Sequence, residues 1–172
     1  MQAPVQLNDI IIRTVLRPGD IGYITYLHGR LYKEEYGFGL GFEAYVAVGL
    51  AEFSRQYDPG RDRVWICEHR GKIIGFLLLM HRDQSVAQLR YLILEPEYRG
   101  IGLGKKLMEL YMEYLKQAGY RSTYLWTTNE QETAISMYKR HGFLLAEEKP
   151  SDAFGKPLVE QKYELSYDPE SV

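Results

Sequence analysis

Residues 92–104 read LILEPEYRGIGLG, and this stretch decides the fold. An apolar run ends at Leu94, and glycines follow at Gly100, Gly102 and Gly104. Glycine lacks a Cβ atom, so it accepts positive φ angles and lets a ligand approach the backbone closely. A helix that begins here directs its free N–H groups and the positive end of its dipole at the same place. The stretch therefore predicts a strand, a turn and a helix that together suit a phosphate group.

Two common phosphate-binding turns do not fit this stretch. A Walker loop requires glycine where this chain has Arg99, and serine or threonine where it has Lys106. A dinucleotide-binding fold requires an acidic residue about 20 positions further on. This chain has the neutral run YLWTT there, at residues 124–128. Arg99 and Lys105 add positive charge beside the turn, either as phosphate contacts or as solvated surface residues.

The flanking sequence alternates between strand and helix patterns. Upstream, β-rich runs at 64–68, 72–80 and 87–94 are separated by turn residues, which indicates an antiparallel meander. Downstream, a helical pattern continues to Gly119 and is followed by a β-rich segment at 123–128. We expect this segment to pair in parallel through a right-handed crossover.

The remaining segments complete a single α/β domain. They predict a strand at 10–15, helices at 21–36, 42–57 and 134–141, and final strands at 144–148 and 159–167. Asp20 is a candidate N-cap for the first helix. The predicted fold is a mixed sheet of about seven strands flanked by four helices. We expect one domain over residues 1–172, with 168–172 as a loose tail.

The glycine turn resembles the cofactor-binding motif of the GNAT acetyltransferase superfamily, usually written R/Q-x-x-G-x-G/A. Arg99, Gly102 and Gly104 occupy its fixed positions. Residues 129–143, NEQETAISMYKRHGF, resemble the later motif of the same family, which ends in Y-x-x-x-G-F. The two motifs occur in the family's order and separation. Nearly the whole chain is similar to the catalytic domains found fused to MarR-type DNA-binding domains, although we expect no DNA-binding half here.

The resemblance implies a GNAT-like fold and an acetyl-coenzyme A (acetyl-CoA) site built largely from backbone groups. The strand end would pair with the pantetheine arm of the cofactor through Leu92, Ile93 and Leu94. The pyrophosphate would be held by N–H groups of Gly100, Ile101, Gly102, Leu103, Gly104 and Lys105. Asn129 would hydrogen-bond the pantetheine or the substrate, unless it only shapes the turn after its strand.

Tyr138 is the general acid that the resemblance implies. Its phenol would protonate the departing thiolate, and the ordinary tyrosine pKa of about 10 suits that transfer. The alternative role is packing, since Ala134 lies four residues earlier on the same helix face. His141 follows one turn later, and its position is explained by the helix dipole, whose negative end favours a histidine at the C-terminus of the helix.

The general base is not evident from the sequence. Many GNAT enzymes carry a glutamate on the strand before the glycine turn, whereas this chain has Gln88 and Arg90 there. An amine must be neutral to attack a thioester, so a carboxylate, a histidine or a water chain has to take its proton. Glu35 and Glu43 are candidates beside the glycine-rich segment 37–41, although solvated helix positions explain them as well.

Other side chains near segment 37–41 have two open roles. Glu34, like Glu35 and Glu43, is either a carboxylate on the acceptor side of the site or a solvated helix residue. Tyr36, Phe38 and Phe42 either shape an acceptor pocket or belong to the core beneath it. Phe154 in the last loop reaches the site or forms a subunit contact.

Composition limits the other functional classes. A formal charge of −2 with dispersed Lys and Arg gives no basic patch, so nucleic acid is not an expected partner. Cys67 is the only cysteine and lies in an apolar run, and the spacing of His, Cys, Asp and Glu predicts no metal site. The sequence shows neither a long apolar run nor a secretory start. We therefore expect no membrane association and a cytoplasmic location.

The predicted function is transfer of an acetyl group from acetyl-CoA to a primary amine of a small molecule or peptide, by direct attack in a ternary complex. The alternative is a non-catalytic acyl-CoA sensor or interaction module. The missing strand glutamate favours the alternative, whereas Tyr138 favours the enzyme, because only a departing thiolate needs an acid. A homodimer is one open option for the assembly.

Overall fold

The computed structural model describes residues 4–166. Its strands are β1 (Ile11–Arg13), β2 (Arg63–His69), β3 (Lys72–Asp83), β4 (Val86–Leu94), β5 (Ser122–Thr128), β6 (Leu144–Ser151) and β7 (Leu158–Ser166). Its helices are α1 (Asp20–Tyr36), α2 (Leu40–Gln56), α3 (Leu103–Gln117) and α4 (Glu132–Arg140). These elements follow the predicted succession. The predicted loose tail at 168–172 lies outside the described residues.

Within residues 4–166 the strands form one seven-stranded sheet in the order β1-β2-β3-β4-β5-β7-β6. Neighbouring strands run antiparallel except β4 and β5, which are parallel. A parallel pair needs a crossover connection, and α3 supplies it. The predicted mixed sheet is therefore confirmed, together with the parallel pairing across the glycine turn.

Strands β4 and β5 pair only at their beginnings. The parallel ladder runs from the Val86–Ser122 pair to the Gln88–Tyr124 pair and goes no further. Strand β5 continues instead beside β7 as far as Thr128. The part of β4 after Gln88 therefore has an open backbone edge that faces the gap between the two strands.

An extra residue in β4 accompanies this separation. Strand β4 pairs with β3 at Leu78–Arg90 and again at Phe76–Ile93, so three steps along β4 oppose two along β3. The bulged segment contains Tyr91, whose φ of 60° is uncommon for a residue other than glycine. A bulge bends its strand and increases the local twist, so β4 and β5 diverge at this point.

Each face of the sheet carries its own core, because strand side chains alternate between the two faces. On one face, α3 contributes Leu107 and Tyr111 to a buried cluster with Leu77 and Leu79 of β3. Full burial of each such side chain stabilises the fold by about 1.5–3 kcal/mol. Helices α1 and α2 cover the opposite face, whose buried residues include Ile24, Leu27, Leu31, Val46, Leu50, Phe53, Phe76, Leu78 and Met80.

The start of α1 differs from the expectation. Gly19 holds the N-cap position, and Asp20 is the first helical residue. The buried Asp20 carboxylate accepts two hydrogen bonds from Arg13, at 2.7 and 2.8 Å, and one from the Arg17 N–H at 2.6 Å. Arg13 also pairs with Glu68 of β2 at 2.6 Å. Asp20 therefore joins β1 to α1 rather than capping the helix, because a buried charge needs charged and hydrogen-bonding partners.

Gly49 of α2 lies against the bulge of β4. A Cβ atom at this position would overlap the Tyr91 hydroxyl and lie 3.0 Å from Arg90 Nη2. We expect Gly49→Ala to lower the free energy of unfolding by about 1–3 kcal/mol, because the surrounding core must shift to accept the methyl group. Urea denaturation followed by circular dichroism measures this change.

Gly22→Ala in α1 is the matched control. Nothing lies within 4 Å of a Cβ atom built at Gly22, which is exposed. Alanine favours a helix over glycine, so this variant should gain about 0.5–1 kcal/mol. Similar stability changes in Gly22→Ala and Gly49→Ala would contradict the packing argument.

Candidate functional site

A cavity of about 770 Å³ lies where the end of β4, the glycine turn, α1 and α4 meet. We call it the large cavity. It brings together most of the predicted cofactor-binding residues. Its lining consists of Leu31, Tyr32, Glu35, Tyr36, Leu92, Ile93, Leu94, Arg99, Gly100, Gly102, Gly104, Lys105, Gln131, Thr133, Ala134, Met137, Arg140 and His141.

The glycine turn presents backbone rather than side chains to the large cavity. Gly100 and Gly102 have φ angles of 77° and 89°, which only glycine adopts without strain. The Leu103 side chain is buried in the core, and Ile101 packs against the same core. Neither side chain lines the large cavity, so only the backbone N–H groups of Ile101 and Leu103 could contact a pyrophosphate there. The positive φ angles explain why glycine occupies both positions.

Helix α3 begins with unpaired N–H groups at this turn. Its first helical hydrogen bond is donated by the Lys106 N–H to the Gly102 carbonyl at 3.0 Å. The N–H groups that precede Lys106 in the first turn have no carbonyl within the helix to bond. They carry the positive end of the helix dipole. This end of the large cavity is therefore suited to an anion such as a diphosphate.

Arg99 contacts protein groups on both sides of the large cavity. Its guanidinium donates to both Glu35 oxygens, at 2.7 and 3.0 Å, and to the Leu94 carbonyl, at 3.0 and 3.1 Å. The hydrogen bonds with Glu35 raise the pKa of Arg99. The sequence suggested Glu35 as an acceptor-side base, but this carboxylate lies on the large cavity and neutralises Arg99.

A second cavity, of about 80 Å³, lies beside the large one. We call it the small cavity. The two share Tyr32, Leu92 and Gln131 as lining residues, so they adjoin at the gap between β4 and β5. The remaining lining of the small cavity is His28, Phe42, Tyr45, Val46, Gln88, Leu89, Arg90, Tyr91, Trp126, Thr127, Thr128, Tyr138, Phe154 and Glu160.

Tyr138 lines the small cavity, while its helix neighbours Met137 and His141 line the large one. Helix α4 therefore borders both cavities. Tyr138 is 5% exposed, and its ring lies 5.9 Å from that of Phe143. Burial, with a smaller contribution from Tyr36, raises the pKa of Tyr138. The phenol consequently remains protonated at neutral pH and can donate a proton or a hydrogen bond.

The carboxylate on the small cavity is Glu160 of β7, which the sequence analysis did not single out. Pairing of β7 with β5 sets Glu160 opposite Thr128. No local motif marks it, because its position depends on strand pairing across more than 30 residues. The suggested candidate Glu43 is exposed on α2 and lines neither cavity. Glu34 is exposed and pairs with Arg30 at 3.3 Å.

Asn129 does not line either cavity, in contrast to the expectation for cofactor binding. Its side-chain oxygen accepts a hydrogen bond from the Val159 N–H at 3.0 Å, so it secures the start of β7. Gln131 borders both cavities instead and accepts a hydrogen bond from the Thr127 hydroxyl at 2.8 Å. Gln88 cannot act as a base, and its oxygen accepts a hydrogen bond from Arg82 at 2.8 Å.

His28 is a second lining residue that sequence reasoning missed. Its Nδ1 lies 2.8 Å from the Ile24 carbonyl oxygen. A carbonyl oxygen can only accept a hydrogen bond, so Nδ1 carries the proton and donates it. Its Nε2 is buried and has no hydrogen-bond partner among the described residues. Burial lowers the pKa of His28 to about 4, so the ring is neutral at physiological pH. The ring therefore offers a hydrogen-bond acceptor.

Other chemistry has little support in the described part of the chain. Residues 4–166 contain no group of three or more His, Cys, Asp or Glu side chains that could hold a metal ion. Cys67 is buried, and burial raises the pKa of its thiol to about 12, so it is not a nucleophile at neutral pH. Over the same residues, no helix has the length and apolar character to span a bilayer.

Comparison with known sequences identifies the family. The model of the acetyltransferase (GNAT) family matches residues 26–143. The uncharacterized N-acetyltransferase YjgM of Escherichia coli is 30% identical over 66% of this chain and 71% of its own length. The uncharacterized N-acetyltransferase MJ1207 of Methanocaldococcus jannaschii is 35% identical over 48% of this chain. The chain spans only 39% of MJ1207, and 51% of N-acetyltransferase family 8 member 2 of Rattus norvegicus.

Solved structures support the same fold. A GNAT-family acetyltransferase of Staphylococcus aureus has a TM-score of 0.75 at 18% identity and covers 92% of this chain and 99% of its own. The putative acetyltransferase yncA of Salmonella typhimurium, solved with acetyl-CoA, has a TM-score of 0.71 at 18% identity, over 96% and 98% of the two chains. The predicted fold class is confirmed, and the neighbour holds the predicted cofactor. Because the family model matches more than half of its length, the chain belongs to the acetyltransferase (GNAT) family, a family of acyltransferases.

Proposed function

We propose that this chain transfers the acetyl group of acetyl-CoA to a primary amine by direct attack in a ternary complex. The observation that carries the proposal is the meeting of the two cavities at the gap between β4 and β5, with Tyr138 beside the junction. One cavity has anion-binding backbone groups, and the other has polar side chains that an amine can contact. This arrangement allows two reactants to meet without a covalent enzyme intermediate.

The residues of the large cavity fit acetyl-CoA. The first turn of α3 offers N–H groups to a diphosphate, and Lys105 adds a positive charge at the rim. The open edge of β4 at Leu92–Leu94 offers backbone groups to the pantetheine amides, as an added strand does. Bound acetyl-CoA supplies the thioester whose acetyl carbon is attacked. We infer that Arg99 positions the turn rather than the phosphates, because its guanidinium is held by Glu35 and Leu94.

Tyr138 is the proton donor in this proposal. As the amine forms its bond to the acetyl carbon, the bond from that carbon to sulfur breaks, and the sulfur takes the phenolic proton. Burial raises the pKa of Tyr138, so the phenol holds its proton at neutral pH and is a weaker acid than an ordinary tyrosine. A protonated amine loses one proton before the attack and a second after the new bond forms, and the second balances the proton that Tyr138 gives to the sulfur.

Glu160 is the proton acceptor that we propose for the amine. It is the carboxylate that lines the small cavity, and Gln88 and Arg90 on β4 cannot take a proton at neutral pH. A carboxylate that forms a hydrogen bond with an ammonium group can accept its proton directly or through a water molecule.

Three expectations from the sequence remain predictions. They are the likeness to MarR-linked catalytic domains, the cytoplasmic location and the homodimer.

Gly102→Ala tests the cofactor site. A Cβ atom at this position is strained at a φ of 89°, so the turn that presents its N–H groups to the large cavity must change conformation. We expect CoA affinity, measured by isothermal titration calorimetry, to fall by about tenfold or more, which corresponds to about 1.4 kcal/mol.

Gly119→Ala is the control for this substitution. Gly119 has a similar φ of 79°, is exposed, and lies beyond the other end of α3. Gly119→Ala should therefore lose stability without losing CoA affinity. Equal affinities of the two variants for CoA would remove the glycine turn from the cofactor site.

Tyr138→Phe tests the proton donor. It should lower kcat by about 10²–10⁴-fold, because the thiolate then leaves without an acid, and it should leave CoA affinity unchanged. Thiol release with a competent amine measures kcat, and calorimetry measures affinity. Tyr26→Phe is the control, since Tyr26 is 57% exposed on α1 and lines neither cavity. An unchanged kcat in Tyr138→Phe would exclude Tyr138 as the proton donor. If the unmodified protein binds CoA but turns over no amine, that result would favour the non-catalytic acyl-CoA sensor.

A further inference from the structure

Two oppositely charged side chains line the small cavity. Arg90 comes from the bulged part of β4, and Glu160 comes from β7 on the other side of the gap. His28 also lines the small cavity, and it is neutral at physiological pH because burial lowers its pKa to about 4. The cavity therefore presents one positive and one negative charge to whatever occupies it.

Arg90 is held in place without an acidic partner. Its guanidinium carbon lies 4.4 Å from the ring centroid of Tyr91 and 5.5 Å from that of Tyr45. One of its nitrogens donates to the Tyr45 hydroxyl at 3.1 Å. Among residues 4–166, no carboxylate forms an ion pair with Arg90. Within residues 4–166, Nε and Nη1 of Arg90 form no hydrogen bond, and two neighbouring N–H donors of a guanidinium match the two oxygens of a carboxylate.

Within residues 4–166, Glu160 forms one long ion pair. Its nearest cation is Lys149 on β6, at 3.7 Å, whose side chain is 52% exposed. The Glu160 side chain is 17% exposed, so it is partly shielded from water where it faces the cavity. A carboxylate offers several lone pairs, and one long contact leaves capacity for an ammonium group.

The other walls of the small cavity are largely apolar and aromatic. Phe42, Trp126 and Phe154 line it beside the two charged groups. The small cavity, of about 80 Å³, encloses only part of a small molecule, and its junction with the large cavity leaves room for the reacting amine. A small zwitterion with an apolar side chain satisfies the charges and the walls together.

We propose that the acceptor is a free amino acid with an apolar side chain, bound with its carboxylate on Arg90 and its amine toward Glu160. This inference rests on the proposed acetyl transfer and names its substrate class. Glu160 takes one proton from the ammonium group, and the neutral nitrogen forms the new bond to the acetyl carbon. A polyamine, which has no carboxylate, would leave Arg90 unpaired and would be repelled by it.

Matched acceptors test the role of the carboxylate. Leucine is compared with leucinamide, isoamylamine and leucyl-glycine, and phenylalanine with phenylalaninamide and phenethylamine, by thiol release from acetyl-CoA. We expect kcat/KM for each free amino acid to exceed that of its amide and its decarboxylated amine by about tenfold or more, because a charge-assisted bidentate contact is lost in both. Better turnover of leucyl-glycine would assign the site to peptides and overturn the inference.

Variants of Arg90 test the anchor itself. Arg90→Met should raise KM for leucine by about tenfold or more while changing kcat little, and should not raise KM for isoamylamine, which has no carboxylate for Arg90 to bind. The KM of Arg90→Lys for leucine should lie between those of the unmodified protein and Arg90→Met, because lysine keeps the positive charge but not the pair of neighbouring N–H donors. Arg55→Met, at the exposed end of α2, is the control and should match the unmodified protein. Calorimetric titration of leucine into the protein with bound CoA repeats the comparison without turnover.

The outcomes separate this inference from the proposed function. If no amine supports thiol release, the acetyl transfer itself fails. If isoamylamine or spermidine is preferred to leucine, or if Arg90→Met leaves KM for leucine unchanged, the amino-acid acceptor is wrong while acetyl transfer stands. Unfolding curves show whether each variant is folded before it is assayed.

Discussion

The limited pairing between β4 and β5 is the constraint on which the rest of the site depends. These parallel strands share a ladder only from Val86 to Gln88, and the bulge around Tyr91 then turns β4 aside. An unpaired strand edge inside a sheet leaves backbone donors and acceptors without partners. The same gap supplies space on both sides of the sheet. The large and small cavities meet there, so one departure from regular pairing creates both cavities and their connection.

Charged pairs hold the separated strand end against α1. Glu95, directly after β4, is 3% exposed and pairs with Arg30 of α1 at 2.7 Å and with Lys72 of β3 at 3.5 Å. Arg99 pairs with Glu35 of the same helix. Partly buried pairs of this kind restrict geometry more surely than they add stability. Helix α1 thus sets the position of the glycine turn relative to β4, and the width of the large cavity depends on its packing.

The two cavities offer different chemical groups to the ligands that we propose for them. The large cavity relies on unpaired backbone N–H groups and a helix dipole, which bind an anion without requiring a particular side chain. The small cavity relies on individual side chains, Arg90 and Glu160, set among aromatic walls. The cofactor site that we propose in the large cavity would tolerate sequence variation, whereas the acceptor site that we propose in the small cavity would change with one substitution. This contrast explains how one fold serves many acceptors.

The sequence by itself determined the elements and the local motifs. Glycine at positions 100 and 102, the period of α3 and the position of Tyr138 on α4 are properties of short segments, whose conformations depend on neighbouring residues. Only the tertiary structure decided which distant side chains meet. It paired Glu35 with Arg99, used Asn129 to secure β7, and brought Glu160 and His28 to the small cavity. Such contacts depend on strand register and helix packing, and a one-residue shift of register would turn each strand side chain to the opposite face.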